Sequence, residues 1–281
     1  MLVKIKIYAP FLAFMILATG LRYLQADVFK FNYTEFSPAF ISVIFILLNK
    51  KDSFKMLSVN RFEFNSLLLP FFVILFVVGI DFIVQLRFHL INQPVIDVGF
   101  LLKLIVISIL FTILVGGLEE IGWRGYLTSK FIKNNISWSQ LIVITSIIWS
   151  IWHLPTHFLK FQDHLFIQYP VFVISLFELS IIMTYLRIRT NSVIPAILLH
   201  SLIAMLYESF FKSSANYSDM YFMTFPSITM ILLLLPVSIY YYKKGSKLYL
   251  DKLKMPVPNS DGLINCLQPA QDSFSVHPKH L

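Results

Sequence analysis

Residues 117–127 read Gly-Leu-Glu-Glu-Ile-Gly-Trp-Arg-Gly-Tyr-Leu (GLEEIGWRGYL), directly after the uncharged run 104–116. The depth at which these charges sit decides the reading of the whole chain. Residues 104–118 give only about 22 Å of helix at 1.5 Å per residue, short of a hydrocarbon core of roughly 30 Å. A crossing helix must therefore draw in Lys103, which can snorkel outward, or extend through Glu119 and Glu120. A carboxylate at that depth costs a few kcal/mol or more and turns toward protein or a water-filled cavity. Glu120 and Arg124 are four residues apart on one helix face and can pair. Glu119 is rotated from Glu120 by about 100° and can face the bundle interior. Either all three residues are interfacial, or one pair is structural and one carboxylate does chemistry.

Composition agrees with a membrane setting. Of 281 residues, 57% are hydrophobic and 14% charged, against about 25% charged in soluble domains. Mean hydropathy is +0.73. The net charge of +8 comes from short basic segments between apolar runs, as the positive-inside rule expects. No basic patch with interleaved aromatics forms a domain, which argues against nucleic-acid binding. The one cysteine, Cys266, excludes an intrachain disulfide and a cysteine-based metal site.

The expected fold is an all-α membrane protein, a polytopic bundle of about eight transmembrane helices. Candidate spans are 7–24, 36–49, 65–86, 98–123, 138–157, 166–186, 192–211 and 221–242. The first, following Lys4 and Lys6, reads as an uncleaved signal anchor. Every second connection is basic, which favours eight spans with both termini cytoplasmic in the cell membrane. The short run 36–49 is counted because omitting it breaks that alternation. The expected organisation is N-terminal helices over 1–97, a core over 98–211, a last helix with its basic flank over 212–254, and a disordered cytoplasmic tail over 255–281.

Two further apolar runs carry histidines. Trp149-Ser-Ile-Trp-His-Leu-Pro-Thr-His157 places His153 and His157 four apart, with Pro155 expected to distort or end the helix. No Glu follows His153, so this is not the HExxH arrangement. His200 lies in Ile194-Pro-Ala-Ile-Leu-Leu-His-Ser-Leu-Ile-Ala-Met-Leu206. Each histidine alone could be interfacial or a satisfied core residue. One Glu and two His on three helices could together supply a general base, metal ligands or oxyanion donors.

A Glu-Glu-x-x-x-Arg, then an aromatic-x-x-x-His, then a later His resembles the CPBP family, which comprises the type II CAAX prenyl endopeptidases and the bacteriocin-processing and immunity proteins. The likeness covers about residues 98–211, and the bacterial branch fits best. It implies that Glu119 activates water, that Glu120 and Arg124 support it, that His153 is the second catalytic residue, and that His200 stabilises the oxyanion or binds metal. If zinc is used, the implied ligands are Glu119, His153 and His200, with one position open. Trp149 stands where the family usually has Phe. Ala204 stands where it usually has Asn or Asp, which removes a candidate oxyanion donor. The implied activity is an intramembrane endopeptidase cutting near the interface, with or without zinc. The implied partners are membrane lipid and a peptide or protein substrate, such as a peptide precursor or a lipidated C-terminus. A non-catalytic scaffold, immunity or signalling member of the family is the alternative, and a proton-relaying transporter ranks last, since no pair of broken helices stands out.

Overall fold

The structure is a computed structural model. It describes residues 13–14, 16–22, 24, 37–49, 52–60, 62, 64–88, 117–160, 165–206 and 228–254, with the side chains of 156–160, 165–168 and 253–254 excluded. Among these residues all regular structure is helical. The elements are α1 (Ser37–Leu48), a short 3-10 turn (Phe54–Leu57), α2 (Asn65–Arg87), α3, α4 (Trp138–Lys160), α5 (Leu165–Thr190), α6 (Ile194–Leu206) and α7 (Ile228–Lys254). In α3, a first turn Gly117–Glu120 runs into a π-helical segment Ile121–Leu127 and then Thr128–Lys133.

Helix α5 is central and packs against α4, α6, α7, α2 and the π-helical segment. Residues Asn65–Arg87 and Tyr169–Thr190 are long and apolar enough to cross a membrane. The outward faces are apolar: Leu69, Phe72, Phe76 and Ile83 on α2, and Leu232 and Leu235 on α7, are all exposed. A surface with this much exposed hydrocarbon suits lipid rather than water.

The helices depart from the sequence expectation in three places. Helix α1 has 12 residues, about 18 Å at 1.5 Å per residue, too short to cross alone. Helix α4 passes through Pro155 to Lys160 instead of ending there. Prolines also lie inside α2, α5 and α7 at Pro70, Pro170 and Pro236, as membrane helices tolerate when neighbouring groups satisfy the freed carbonyls. Helix α7 runs well beyond 242 through the basic flank. Residues 7–12, 15, 23, 36, 98–116, 207–211 and 221–227 of the expected spans, the His157 side chain and the tail 255–281 lie outside the described residues.

Two glycines of the opening stretch explain how α3 is seated. A Cβ on Gly122 would lie 2.5 Å from Pro38 Cβ and 2.6 Å from the Pro38 carbonyl oxygen. A Cβ on Gly125 would lie 2.6 Å from the Leu57 carbonyl oxygen. Small residues let membrane helices approach at backbone distance, and here they bring α1 and the 3-10 turn directly onto the π-helical segment. Trp123, fully buried, fills the adjoining space edge-on to Phe14 at 5.6 Å and Trp152 at 5.9 Å. Beyond it, Tyr126 donates to Asp52 at 3.0 Å, and Lys130 pairs with the same carboxylate at 2.7 Å. Burial, reinforced by Asp52, raises the Tyr126 pKa, so its hydroxyl stays protonated as a donor.

Gly125→Ala is expected to lower the unfolding midpoint in detergent, at a cost of about 1–3 kcal/mol from overpacking. Gly79→Ala on α2, where a Cβ meets nothing within 4 Å, is expected to be neutral or stabilising by up to about 1 kcal/mol. Thermal unfolding of the two variants side by side checks this, and equal midpoints would contradict the close approach.

Candidate active site

Glu119 and Glu120 occupy the last turn before the π-helical segment, and both are buried, at 1% and 0% exposed. Neighbouring positions on a helix point about 100° apart, so the two carboxylates enter different surroundings. Glu120 takes the Arg124 guanidinium through both oxygens, at 3.0 and 2.8 Å. Arg124 extends the group by donating to Ser180 Oγ on α5 at 2.7 Å. His200 Nδ1 on α6 meets Glu120 Oε1 at 2.8 Å. The expected ion pair is therefore present, and one histidine completes it.

Glu119 meets α4. The Trp149 indole N–H donates to Glu119 Oε2 at 2.8 Å. His153 Nε2 approaches the same oxygen at 3.8 Å, too far for a direct hydrogen bond and a spacing at which a bridging water is the natural question. The His153 ring is held edge-on between Trp152 at 4.7 Å and Phe172 at 5.0 Å. The histidine side chains keep 15% and 14% exposure, whereas the carboxylates keep almost none. Anything arriving from outside therefore meets the imidazoles first, with the carboxylates behind them.

All five residues read from the sequence, Glu119, Glu120, Arg124, His153 and His200, thus fall in one cluster supplied by α3, α4 and α6. They divide into two groups, Glu119 with His153 and Glu120 with Arg124 and His200. This division bears on zinc. The implied ligands Glu119, His153 and His200 attach to different carboxylates, and His200 Nδ1 is engaged by Glu120. Among the described residues no three His, Cys, Asp or Glu side chains form a metal-holding group.

Three contributions escape the sequence reading. Ser180 accepts one further hydrogen bond from Arg124, and Trp149 bonds Glu119. Arg187 looks like a basic residue of a connection but is buried inside α5, at 1% exposed. Its Nε donates to the Arg124 carbonyl oxygen at 3.1 Å, one Nη donates to Asn191 at 3.2 Å, and the other donates to Ser58 and Ser129. A π-helical turn shifts carbonyls out of the i→i+4 ladder, and Arg187 satisfies one of them. Ser58 and Asn191 both adopt positive φ, at 56° and 53°, which turns the chain so that each can reach the guanidinium. The only sequence signal is negative: Arg187 is followed within two residues by Arg189, and nothing local distinguishes the buried arginine from the other.

Residues 101–206 match the family model described as Type II CAAX prenyl endopeptidase Rce1-like. The chain is also similar to "CAAX prenyl protease 2" of Methanococcus maripaludis. The two are 28% identical over 187 residues, an alignment covering 61% of this chain and 69% of that protein. The matched segment contains every residue of the two groups and also Ser180 and Arg187.

Removing one partner of a buried ion pair leaves an uncompensated charge, at about 3–5 kcal/mol. Arg124→Ala should therefore reduce the folded yield in detergent sharply, whereas Lys55→Ala on the exposed 3-10 turn should not. Ser180→Ala should fall between them, at about 1.5–3 kcal/mol for a hydrogen bond to a charged group. Size-exclusion yield and thermal midpoint together check the order, and an Arg124→Ala protein as stable as Lys55→Ala would contradict it.

Proposed function

From the match of residues 101–206 to the Rce1-like type II CAAX prenyl endopeptidase model, we propose that this chain is a member of that family and an intramembrane endopeptidase in which a glutamate activates water. The observation that carries the reading is the 3.8 Å separation of Glu119 Oε2 and His153 Nε2, beside a second histidine fixed by Glu120. A water held by this Glu and His loses a proton to Glu119 as its oxygen attacks the peptide carbonyl. His200, anchored through Nδ1, presents Nε2 to the oxygen that becomes negative, and donating there requires the imidazolium form. The proton taken by Glu119 then passes to the departing amine. Zinc is the alternative: Glu119, His153 and His200 would hold it, and it would polarise the peptide carbonyl.

The substrate is a peptide or protein cut near the membrane interface. A lipidated C-terminus is favoured by the family, and a peptide precursor is the second choice. The alternating Lys and Arg favour both termini on the cytoplasmic side, which requires residues 36–49 to cross together with their flanks. Reporter fusions after Lys130 and after Lys254 should both report cytoplasm, and an external signal at either would sink this topology.

The chemical test uses a fluorogenic peptide ending in a farnesylated cysteine followed by three residues. Glu119→Gln, close in shape to the carboxylate but no base near neutral pH, should abolish cleavage without loss of fold. His153→Ala and His200→Ala should approach the same floor, because residues acting as a unit are not additive. Treatment with 1,10-phenanthroline should leave the rate unchanged. Ala204→Asn should raise the rate if a missing donor limits it, since one oxyanion donor is worth about 10²–10³. Full biological output from a folded Glu119→Gln protein would replace the enzyme with a scaffold or regulator.

A further inference from the structure

Trp149 touches both halves of the cluster and belongs to neither. It is 1% exposed. Its indole N–H bonds Glu119 Oε2 at 2.8 Å. The Arg124 guanidinium stands over its ring, 4.1 Å from the centroid. The ring also contacts His153 at 6.0 Å and His200 at 5.5 Å, measured between centroids. We propose that Trp149 is a positioning residue that keeps Glu119 out of the adjacent ion pair and turned toward His153.

The physical case rests on competition for a cation. Arg124 is close enough to feel the charge of Glu119 as well as that of Glu120. At low dielectric a carboxylate beside a guanidinium is drawn into a shared ion pair, and a carboxylate so paired is a poor base. The indole counters this in two ways. Its face covers the guanidinium and satisfies it by a cation–π contact. Its N–H supplies one directed hydrogen bond that fixes Oε2 on the His153 side. Phe at this position, the usual residue of the resembling family, keeps the first device and lacks the second. The indole bond is thus one that Phe at this position could not make.

The proposal rests on the hydrolytic reading of Glu119, so the test separates the two. Kinetics on the farnesylated peptide compare the unaltered protein with Trp149→Phe and Trp149→Leu, in parallel with ¹⁵N-indole NMR of the full chain in detergent. Trp149→Phe should lower kcat roughly ten- to hundredfold with KM unchanged, the loss of one hydrogen bond to a charged group. Trp149→Leu, which also uncovers Arg124, should lower it further. The indole resonance that disappears in Trp149→Phe should move upfield in Glu119→Gln and stay in place in Glu178→Gln, a carboxyl buried against α7 and lining a different cavity. An unchanged kcat in Trp149→Phe would overturn the proposal, as would an indole resonance that ignores Glu119→Gln. A parallel fall in kcat and thermal midpoint would also overturn it, reducing Trp149 to a packing residue. Absence of hydrolysis by the unaltered protein would refute the proposed function itself, a result no Trp149 variant can mimic.

Discussion

A fully desolvated ion pair governs this structure. Glu120 and Arg124 are both 0% exposed, and two such charges in a low-dielectric interior are tolerated only when nearly every donor and acceptor is used. The neighbourhood follows from that demand. Glu120 receives two guanidinium N–H groups and His200. Arg124 receives Ser180 and the face of Trp149. The carbonyl of Arg124 receives Arg187. Each partner comes from a different stretch of chain, so the pair ties α4, α5 and α6 to one turn of α3.

The same demand separates the two adjacent glutamates. Glu120 is consumed by structure, and Glu119 is left to a tryptophan and a histidine. Neither residue type nor burial distinguishes them, since both are acidic and buried. Direction distinguishes them: one helical step carries the first toward α4 and the second toward α6. The glycines serve this geometry indirectly. With Gly122 and Gly125 lying against Pro38 and Leu57, the segment cannot rotate to exchange the two carboxylates without driving a side chain into backbone.

What could be read in advance was what is local. The pairing of Glu120 with Arg124 follows from a spacing of four, and the separation of Glu119 from it follows from one helical step. The histidines stood out because polar groups are rare in apolar runs. Helix existence followed from lipid, but helix ends did not: Pro155 is passed, α1 falls short of a span, and α7 runs on. The contributions of Trp149, Ser180 and Arg187 were hidden for a different reason. They act on α3 across 30, 56 and 63 residues of chain, and no local period records a contact at that range. Trp149 stands where Phe is usual, a ring for a ring, and its N–H matters only once Glu119 is known to face it.

The span of chain separating these partners also sets an order of events during synthesis. A polypeptide emerges from its N-terminus, and its earlier segments organise first. Helix α3 can enter the bilayer with Glu120 already neutralised by Arg124, since that pair lies within the helix. It then waits for Trp149 and His153 on α4, Ser180 on α5 and His200 on α6. Until α6 has been inserted, Glu120 lacks His200, and the cluster is incomplete. Assembly of the cluster is thus ordered by connectivity.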